Sequence, residues 1–468
     1  MYKVRKIKSS YKIFSVFVLM FYLLLYLYNK YAFDIVTVDF MINSIVFVVI
    51  VFFILISKIF YIHNLLFLFF ISFSLFIFSR IFLDFFGISS ILESQSFYWG
   101  MMEKSSIIQT LFVVIISFSS VLFGAFFYNI KQQADFHRSM FLPSKGGYGK
   151  VILILFLMLL PGTLHKYYFD LLQVLNEGYL ALYSREKIIV APIFSRLSWY
   201  IYTLILPLVF CIEFNNKLKT KLLIVFILMV SLLDSIKGSR AAFLRPLLFC
   251  FWYYYTFYSS KKINLLKLIP SIFLICFFTI GMLFKRTGQE VSIEQLGSVF
   301  ELIFYQQGIS FTVVAFYFQF QSALLYPTHL YILTPITSFL QYVFNKDVFA
   351  SGRNYEMIRQ TYNIDYKLMH AVNSDLFYKG YGLGGSYMIE LFALLGMVSL
   401  IIGSSLVGYY IIWFEQNVKS KTGLIILGWY FVNHIVFFSR GNYLLNFFNV
   451  SLTFIIFFII RQFYSKTV

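Results

Sequence analysis

The stretch MHAVNSDLFYKGYGLGGSYMIELFALLG, Met369–Gly396, sets a His, an Asp, four Gly and a Glu directly ahead of a long apolar run. Polar groups are costly at the mouth of a membrane helix, so a chain that keeps them there uses or pairs them. His370 titrates near neutral pH and is a candidate general base, with Asp375 a weaker one. A lone loop His more often has a bland role. Gly380, Gly382, Gly384 and Gly385 permit close backbone approach or unusual dihedral angles just before Ser386 and Glu390. Glu390 is an acid inside an apolar helix start, explained either by catalysis or by pairing with an Arg.

Cations gather in the same part of the chain. In SIKGSRAAFLRP, Ser235–Pro246, Gly238 permits a tight turn and Arg240 stands at a helix end. A guanidinium fork there suits a phosphate or diphosphate; a side chain snorkelling to the membrane surface explains it equally well. Asp234, one turn earlier, is placed to pair with Lys237 or Arg240. Lys285 and Arg286 end an apolar segment as adjacent cations, and Arg353, Arg359 and Arg440 lie in polar turns. YQQGIS, Tyr305–Ser310, puts Gln307 and Ser310 into an apolar helix. They bond sugar hydroxyls there, or glue helices together.

Membrane helices must position these residues. The 468 residues are 60% hydrophobic and 12% charged, with a mean hydropathy of +0.80. A soluble domain could not hide so much apolar surface. The expected fold is all-α, a polytopic transmembrane bundle of about twelve spans. They are read at roughly 13–28, 41–57, 62–79, 107–128, 151–165, 198–214, 222–236, 241–258, 268–284, 386–413, 423–438 and 444–460. The Lys/Arg-rich start MYKVRKIKSSYK places the N-terminus in the cytoplasm, and the alternation that follows returns the C-terminus there. The segments then inside hold twenty of the 38 Lys and Arg, but of the 20 acids only Asp135, Glu415 and, at a helix end, Glu213. The net charge of +18 thus divides as about +17 inside and +1 outside. It is a topology signal, and no nucleic-acid partner is needed to explain it.

The whole chain, 1–468, reads as one integral membrane domain, with 285–385 as a large periplasmic or extracellular loop. Within that loop, Ser298–Phe320 and His329–Phe344 are apolar but interrupted by amides, Glu301 and Pro335, and read as re-entrant or interfacial helices. An outer loop so much larger than any inner one puts the work on the outer face. Cys211, Cys250 and Cys276 stand singly, the six His are scattered, and no Walker or dinucleotide fingerprint is present. No metal or cofactor is expected. The energy must come from the substrate or from an ion gradient.

Over roughly 171–461 the chain resembles the Wzy-type O-antigen polysaccharide polymerases. Gly238–Ser239–Arg240 resembles the family's Gly-x-Arg turn, Lys285–Arg286 its basic end of a middle span, and Gln307–Ser310 its Gln-Gly-hydrophobic-Ser segment. His370 followed by GYGLGGSYMIELFALLG is similar to the family's His and later Gly-rich helix start, with Met388–Ile389 in place of the more usual Ile-Ala. Arg440 resembles an Arg before the last span. The resemblance implies a GT-C-like glycosyltransferase of the bacterial plasma membrane, working at its outer face on undecaprenyl-diphosphate-linked oligosaccharides within the lipid bilayer. It implies His370 as base, with Asp234 in reserve, and Glu390 orienting a cation or the acceptor. Arg240, Lys285 and Arg286, with Arg353 and Arg440, would meet the diphosphate. Gln307, Ser310, Gly384 and Ser386 would meet the glycan. Such polymerases usually work with a chain-length regulator protein. An O-antigen ligase uses the same donor and is the alternative enzyme. A lipid-linked oligosaccharide flippase would show two similar halves, which this chain lacks.

Overall fold

A computed structural model describes residues 9–31, 36–59, 64–94, 100–128, 142–143, 147–178, 182, 190–213, 217–259, 299–345, 348–349 and 353–465. Apolar runs become α1 (Ser9–Tyr31), α2 (Val38–Ile59), α3 (Leu65–Phe73), α4 (Ser79–Phe85), α5 (Lys104–Phe127), α6 (Gly147–Glu177), α7 (Ile193–Val209), α8 (Lys217–Ser235) and α9 (Arg240–Phe257). After residue 298 come α10 (Val299–Gln307), α11 (Ile309–Phe320), α12 (Thr334–Phe344), α13 (Tyr355–Gln360), α14 (Ile364–Val372) and α15 (Ser374–Tyr378). The chain ends in α16 (Tyr387–Leu395), α17 (Met397–Asn417), α18 (Thr422–Val436) and α19 (Phe447–Ser465). Strand structure among the described residues amounts to two-residue pairings, Glu93–Ser94 with Gly100–Met101 and Leu142–Pro143 with Ile212–Glu213.

Among the described residues, six helices are long and apolar enough to cross a membrane: α1, α2, α3 running on into α4, α5, α6 and α17. The apolar helices α7, α18 and α19 are shorter. The expected span at 268–284 lies outside the described residues. The expected span at 386–413 is divided. Gly396 takes φ +64, ends α16 and lets α17 start in a new direction. The sequence there is apolar throughout, so hydropathy alone reads straight through the break.

The chain gathers into two compact units. One comprises residues 1–131, 292–413 and 435–444, the other 132–291, 414–434 and 445–468. In the first, α5 is the core: all but a few of its residues are buried, and it packs on α1, α2 and α11. The Phe118 ring meets Phe52, Phe70, Phe73 and Phe78 at centroid separations of 5.1 to 5.9 Å. A five-residue π-helical turn, Ser74–Phe78, joins α3 to α4. Helices in lipid gain little from hydrophobic exclusion, so close contact must hold them. Gly124 of α5 and Gly408 of α17 supply it. A Cβ on either would run into the opposing backbone carbonyl, that of Ser405 or Val121.

The stretch expected as an interfacial or re-entrant helix at 298–320 is α10 and α11, meeting at Gly308. Ser310 to Phe318 are all buried, which fits a helix inserted among others and not one laid on a surface. By contrast, α12 has only 11 residues and turns Ile336, Phe339, Leu340 and Phe344 outward. That pattern suits an interfacial helix.

In the second unit α6 packs along α7, α8 along α9, and α19 against α6 and α7. Trp252, Phe249, Phe210, Trp429 and Phe414 form its aromatic centre. At Gly162 a Cβ would stand 2.5 Å from Ser198 Oγ, so this glycine sets the α6–α7 separation.

Candidate functional site

The first unit carries a polar cluster on short helices. Each helix starts at an Asn whose side chain accepts from a backbone N–H: Asn354 from Met357 (2.7 Å), Asn363 from Asp365 (2.9 Å) and Asn373 from Leu376 (3.0 Å). Such caps satisfy donors that a helix start leaves open. They cut residues 354–378 into three short helices, α13, α14 and α15, which aim several side chains at one place.

Asp365 is at the centre. Its Oδ1 accepts the Gly384 N–H at 2.8 Å, which ties α14 to the Gly-rich loop. Arg353 and Arg440 act on it electrostatically. Burial pushes the Asp365 carboxyl above its ordinary range, against the opposing pull of the Gly384 N–H and of these arginines. The guanidinium of Arg353 lies over the rings of Tyr366 and Phe377, 4.9 and 5.1 Å from their centroids. Its Nη1 is buried with no hydrogen-bond partner among the described residues. At Gly382 a Cβ would come within 3.0 Å of Asp365 Oδ2 and 3.2 Å of Arg353 Nη2. Gly384 takes φ +85 and lies against Arg440, with 3.8 Å from its built Cβ to Nε. Gly382 thus lets the Asp365 carboxylate and Arg353 close in, and Gly384 adopts a left-handed backbone that disfavours a side chain.

His370 is half-buried near the end of α14. Its Nε2 is 3.3 Å from the Tyr378 hydroxyl, and the rings of Phe377 and Tyr378 meet it edge-on. Burial holds its imidazole below the ordinary value, so the ring is neutral and able to take a proton at neutral pH.

Glu390 is fully buried in α16. Its Oε2 accepts the Tyr443 N–H at 2.8 Å, and Oε1 has no hydrogen-bond partner among the described residues. Tyr443 belongs to the turn that carries the exposed Arg440, and its hydroxyl donates to the Gly403 carbonyl at 3.1 Å. Glu390 thus holds the Arg440 turn through backbone. Ser386 is buried and its Oγ is likewise without a partner among the described residues. Tyr387 anchors the start of α16, stacking on Phe438 at 4.0 Å and sharing a hydrogen bond with Ser117 at 2.6 Å.

Gln307 and Ser310 flank Gly308, where a Cβ would strike the Arg80 side chain. Arg80 is buried, lies 4.0 Å from the Tyr305 ring centroid and donates to the Glu93 carbonyl. The Gln-Gly-x-Ser segment is therefore packed on a buried guanidinium, and its helix α11 packs on α14.

In the second unit Asp234 is held by Lys237 at 2.6 Å. Lys237 also meets Asp170 at 3.0 Å, and Asp170 meets Lys166 at 2.5 Å. Two carboxylates and two ammonium groups balance each other, which is the pairing reading of Asp234. Gly238 takes φ +108 in the turn that follows, and Arg240 opens α9. The Arg240 side chain, Lys285 and Arg286 lie outside what the structure describes. Asp375 is in the first turn of α15.

Sequence reasoning missed Asp365 and Lys367. Asp365 follows a capping Asn and reads as an ordinary helix-start acid. Lys367 reads as a surface cation, yet it is 2% exposed. Nothing in the local pattern distinguishes either one.

Membrane-length helices, with a polar cluster of Asp365, Arg353, Arg440 and the Gly-rich loop in the first unit, define a polytopic membrane protein. The model of the O-antigen polysaccharide polymerase Wzy family matches residues 11–468, nearly the whole chain, and the protein belongs to that family. No curated protein and no solved structure is detectably similar to it.

Proposed function

We propose that this protein polymerises undecaprenyl-diphosphate-linked oligosaccharide repeat units at the outer face of the bacterial plasma membrane, as a GT-C-type glycosyltransferase. The observation that carries the reading is His370, kept neutral by burial, in the same unit as Arg353, Arg440 and the Gly-rich loop. The acceptor hydroxyl oxygen attacks the anomeric carbon of the carrier-linked glycan. The bond from that carbon to the diphosphate oxygen breaks, His370 takes the hydroxyl proton, and undecaprenyl diphosphate leaves with the bonding electrons. Arg353 and Arg440 stabilise the charge developing on the diphosphate. Arg240, Lys285 and Arg286 are further candidate diphosphate contacts by the resemblance to the family. Glu390 is a positioning residue for the Arg440 turn. The glycan contacts assigned by resemblance are Gln307, Ser310, Gly384 and Ser386, of which the two serines are buried, and 285–385 is assigned to the outer side of the membrane. Asp234, neutralised by Lys237, serves structure first and base chemistry only in reserve.

Glycan profiling on gels tests this in a host deleted for the gene. Deletion is expected to collapse a ladder to single repeats, wild type to restore it, and His370→Ala at equal protein level to leave it collapsed. Removing a general base lowers the rate by about 10² to 10⁴-fold. A deletion strain with no surface repeats at all would favour a ligase or flippase. Because arginines carry the leaving-group charge here, polymerisation is expected to withstand chelator. Activity lost to chelator and regained with a divalent ion would defeat that part.

A further inference from the structure

The first unit also holds a cavity of about 430 Å³. That is within the usual range for small-molecule sites. Its lining includes Lys367, Arg359, Gln341, Asn345, Tyr326 and Tyr362. It is polar, carries two cations and has no carboxylate among its lining residues, although Arg359 Nη1 lies 3.7 Å from the exposed Glu356 carboxylate. Lys367 is buried, and its ammonium donates to the Tyr326 carbonyl. No carboxylate forms an ion pair with it among the described residues, although a buried ammonium ordinarily needs one. Gln341 gives its Nε2 to the Gln360 carbonyl at 2.5 Å, and its buried Oε1 has no hydrogen-bond partner among the described residues. Tyr326 is the one non-glycine among the described residues with a left-handed backbone, φ 49. Strain of that kind collects at ligand sites.

We infer that this cavity is a subsite for an anionic sugar of the glycan, with Lys367 and Arg359 taking the carboxylate and Gln341 and Asn345 the ring hydroxyls. The inference rests on the polymerase reading and extends it to the substrate. Tyr326 and Tyr362 supply faces and hydroxyls of the kind that sugars use. Lys367 stands one helical turn before His370 on α14, about 4.5 Å along the axis. That spacing sets the cavity's buried cation within one turn of the residue proposed as base. The same two cations could meet a diphosphate instead, and the test separates the two sources of charge.

The experiment is calorimetric binding to the full-length, detergent-solubilised protein. The probes are the host's repeat-unit oligosaccharide released from its carrier, the same oligosaccharide after carboxyl reduction, and inorganic diphosphate. The native oligosaccharide is expected to bind at least about tenfold more tightly than the reduced one, the loss that follows removal of a charged hydrogen-bond partner. Lys367→Met is expected to abolish that difference with the melting temperature little changed, because the hydrogen bond lost to the Tyr326 carbonyl is offset by no longer burying an ammonium without a carboxylate partner. Arg359→Gln, at a position whose side chain is 60% exposed, is expected to reduce it. Equal binding of native and reduced oligosaccharide, or none, overturns the subsite. Diphosphate that displaces the oligosaccharide and binds as tightly assigns the cations to the carrier and overturns the sugar reading. A ladder that survives gene deletion defeats the polymerase reading itself. Dependence of the ladder on the gene without charge-dependent binding defeats only the subsite.

Discussion

At the scale of single residues, the site depends on what burial does to two groups. His370 is lowered by desolvation, so its charged form disappears at a pH below the ordinary value of about 6.5. As the pH falls through that lowered value the ring gains a proton and can no longer act as base. The kcat/KM profile is therefore expected to be flat at neutral pH and to drop with unit slope on the acid side below about 6.5. A limb centred above that value would count against His370. Lys367 is held down to about 8, again by desolvation. Around it stand Arg359, Tyr326 and Tyr362, none of them an acid. It loses its charge as the pH rises through about 8, and charge-dependent oligosaccharide binding is expected to weaken there. The glycines give a steric prediction. Gly382→Ala puts a methyl 3.0 Å from the Asp365 carboxylate and 3.2 Å from Arg353, and Gly384→Ala must hold φ +85. A left-handed non-glycine residue is strained by roughly 1–2 kcal/mol. Both variants are expected to reach the membrane in normal amounts and to make short ladders or none. Full ladders from both would show that the loop geometry is not needed.

At the scale of elements, the position of His370 depends on the caps that define α14. Asn363→Ala removes the acceptor for the Asp365 N–H and is expected to lose about 0.5–2 kcal/mol at that helix start. Asn363→Asp keeps an acceptor and is expected to retain activity. If the alanine variant polymerises as well as the aspartate variant, the cap does not position the base. Gly408→Leu in α17 is a different kind of change, since it forces two helices of the core apart at the Val121 carbonyl; loss of folded protein is the expected result. The membrane class, the helices and most of the polar segments were legible in the sequence, because hydropathy and charge bias act over whole spans. Arg353, Gly384 and Arg440 gather at Asp365, whereas His370 meets Phe377 and Tyr378. The division at Gly396 was not legible, because an apolar run looks the same whether or not one glycine turns it. Asp365 and Lys367 escaped notice for a related reason. A buried charge is made by its neighbours, and the neighbours of Lys367 lie up to 41 residues away, at Tyr326.

At the scale of the molecule, the distribution of charge makes a sidedness prediction that no single site can supply. The net charge of +18 is concentrated in the segments read as cytoplasmic, whereas 285–385 mixes both signs. If the outer loop carries the chemistry, a reagent confined to the outside must reach it. Arg359, whose side chain is 60% exposed, is suited to the test. Lys219, exposed in the first turn of α8, is its counterpart on the basic side. Cys211, Cys250 and Cys276 are first replaced, so that each introduced cysteine is the only thiol. Arg359→Cys is expected to react with a membrane-impermeant maleimide in intact spheroplasts, and Lys219→Cys only after permeabilisation. The opposite pattern would place His370 and the arginines of its unit in the cytoplasm. A diphosphate-linked glycan already carried outward could not reach them there, and polymerisation at the outer face would be excluded however well the single-residue variants behaved.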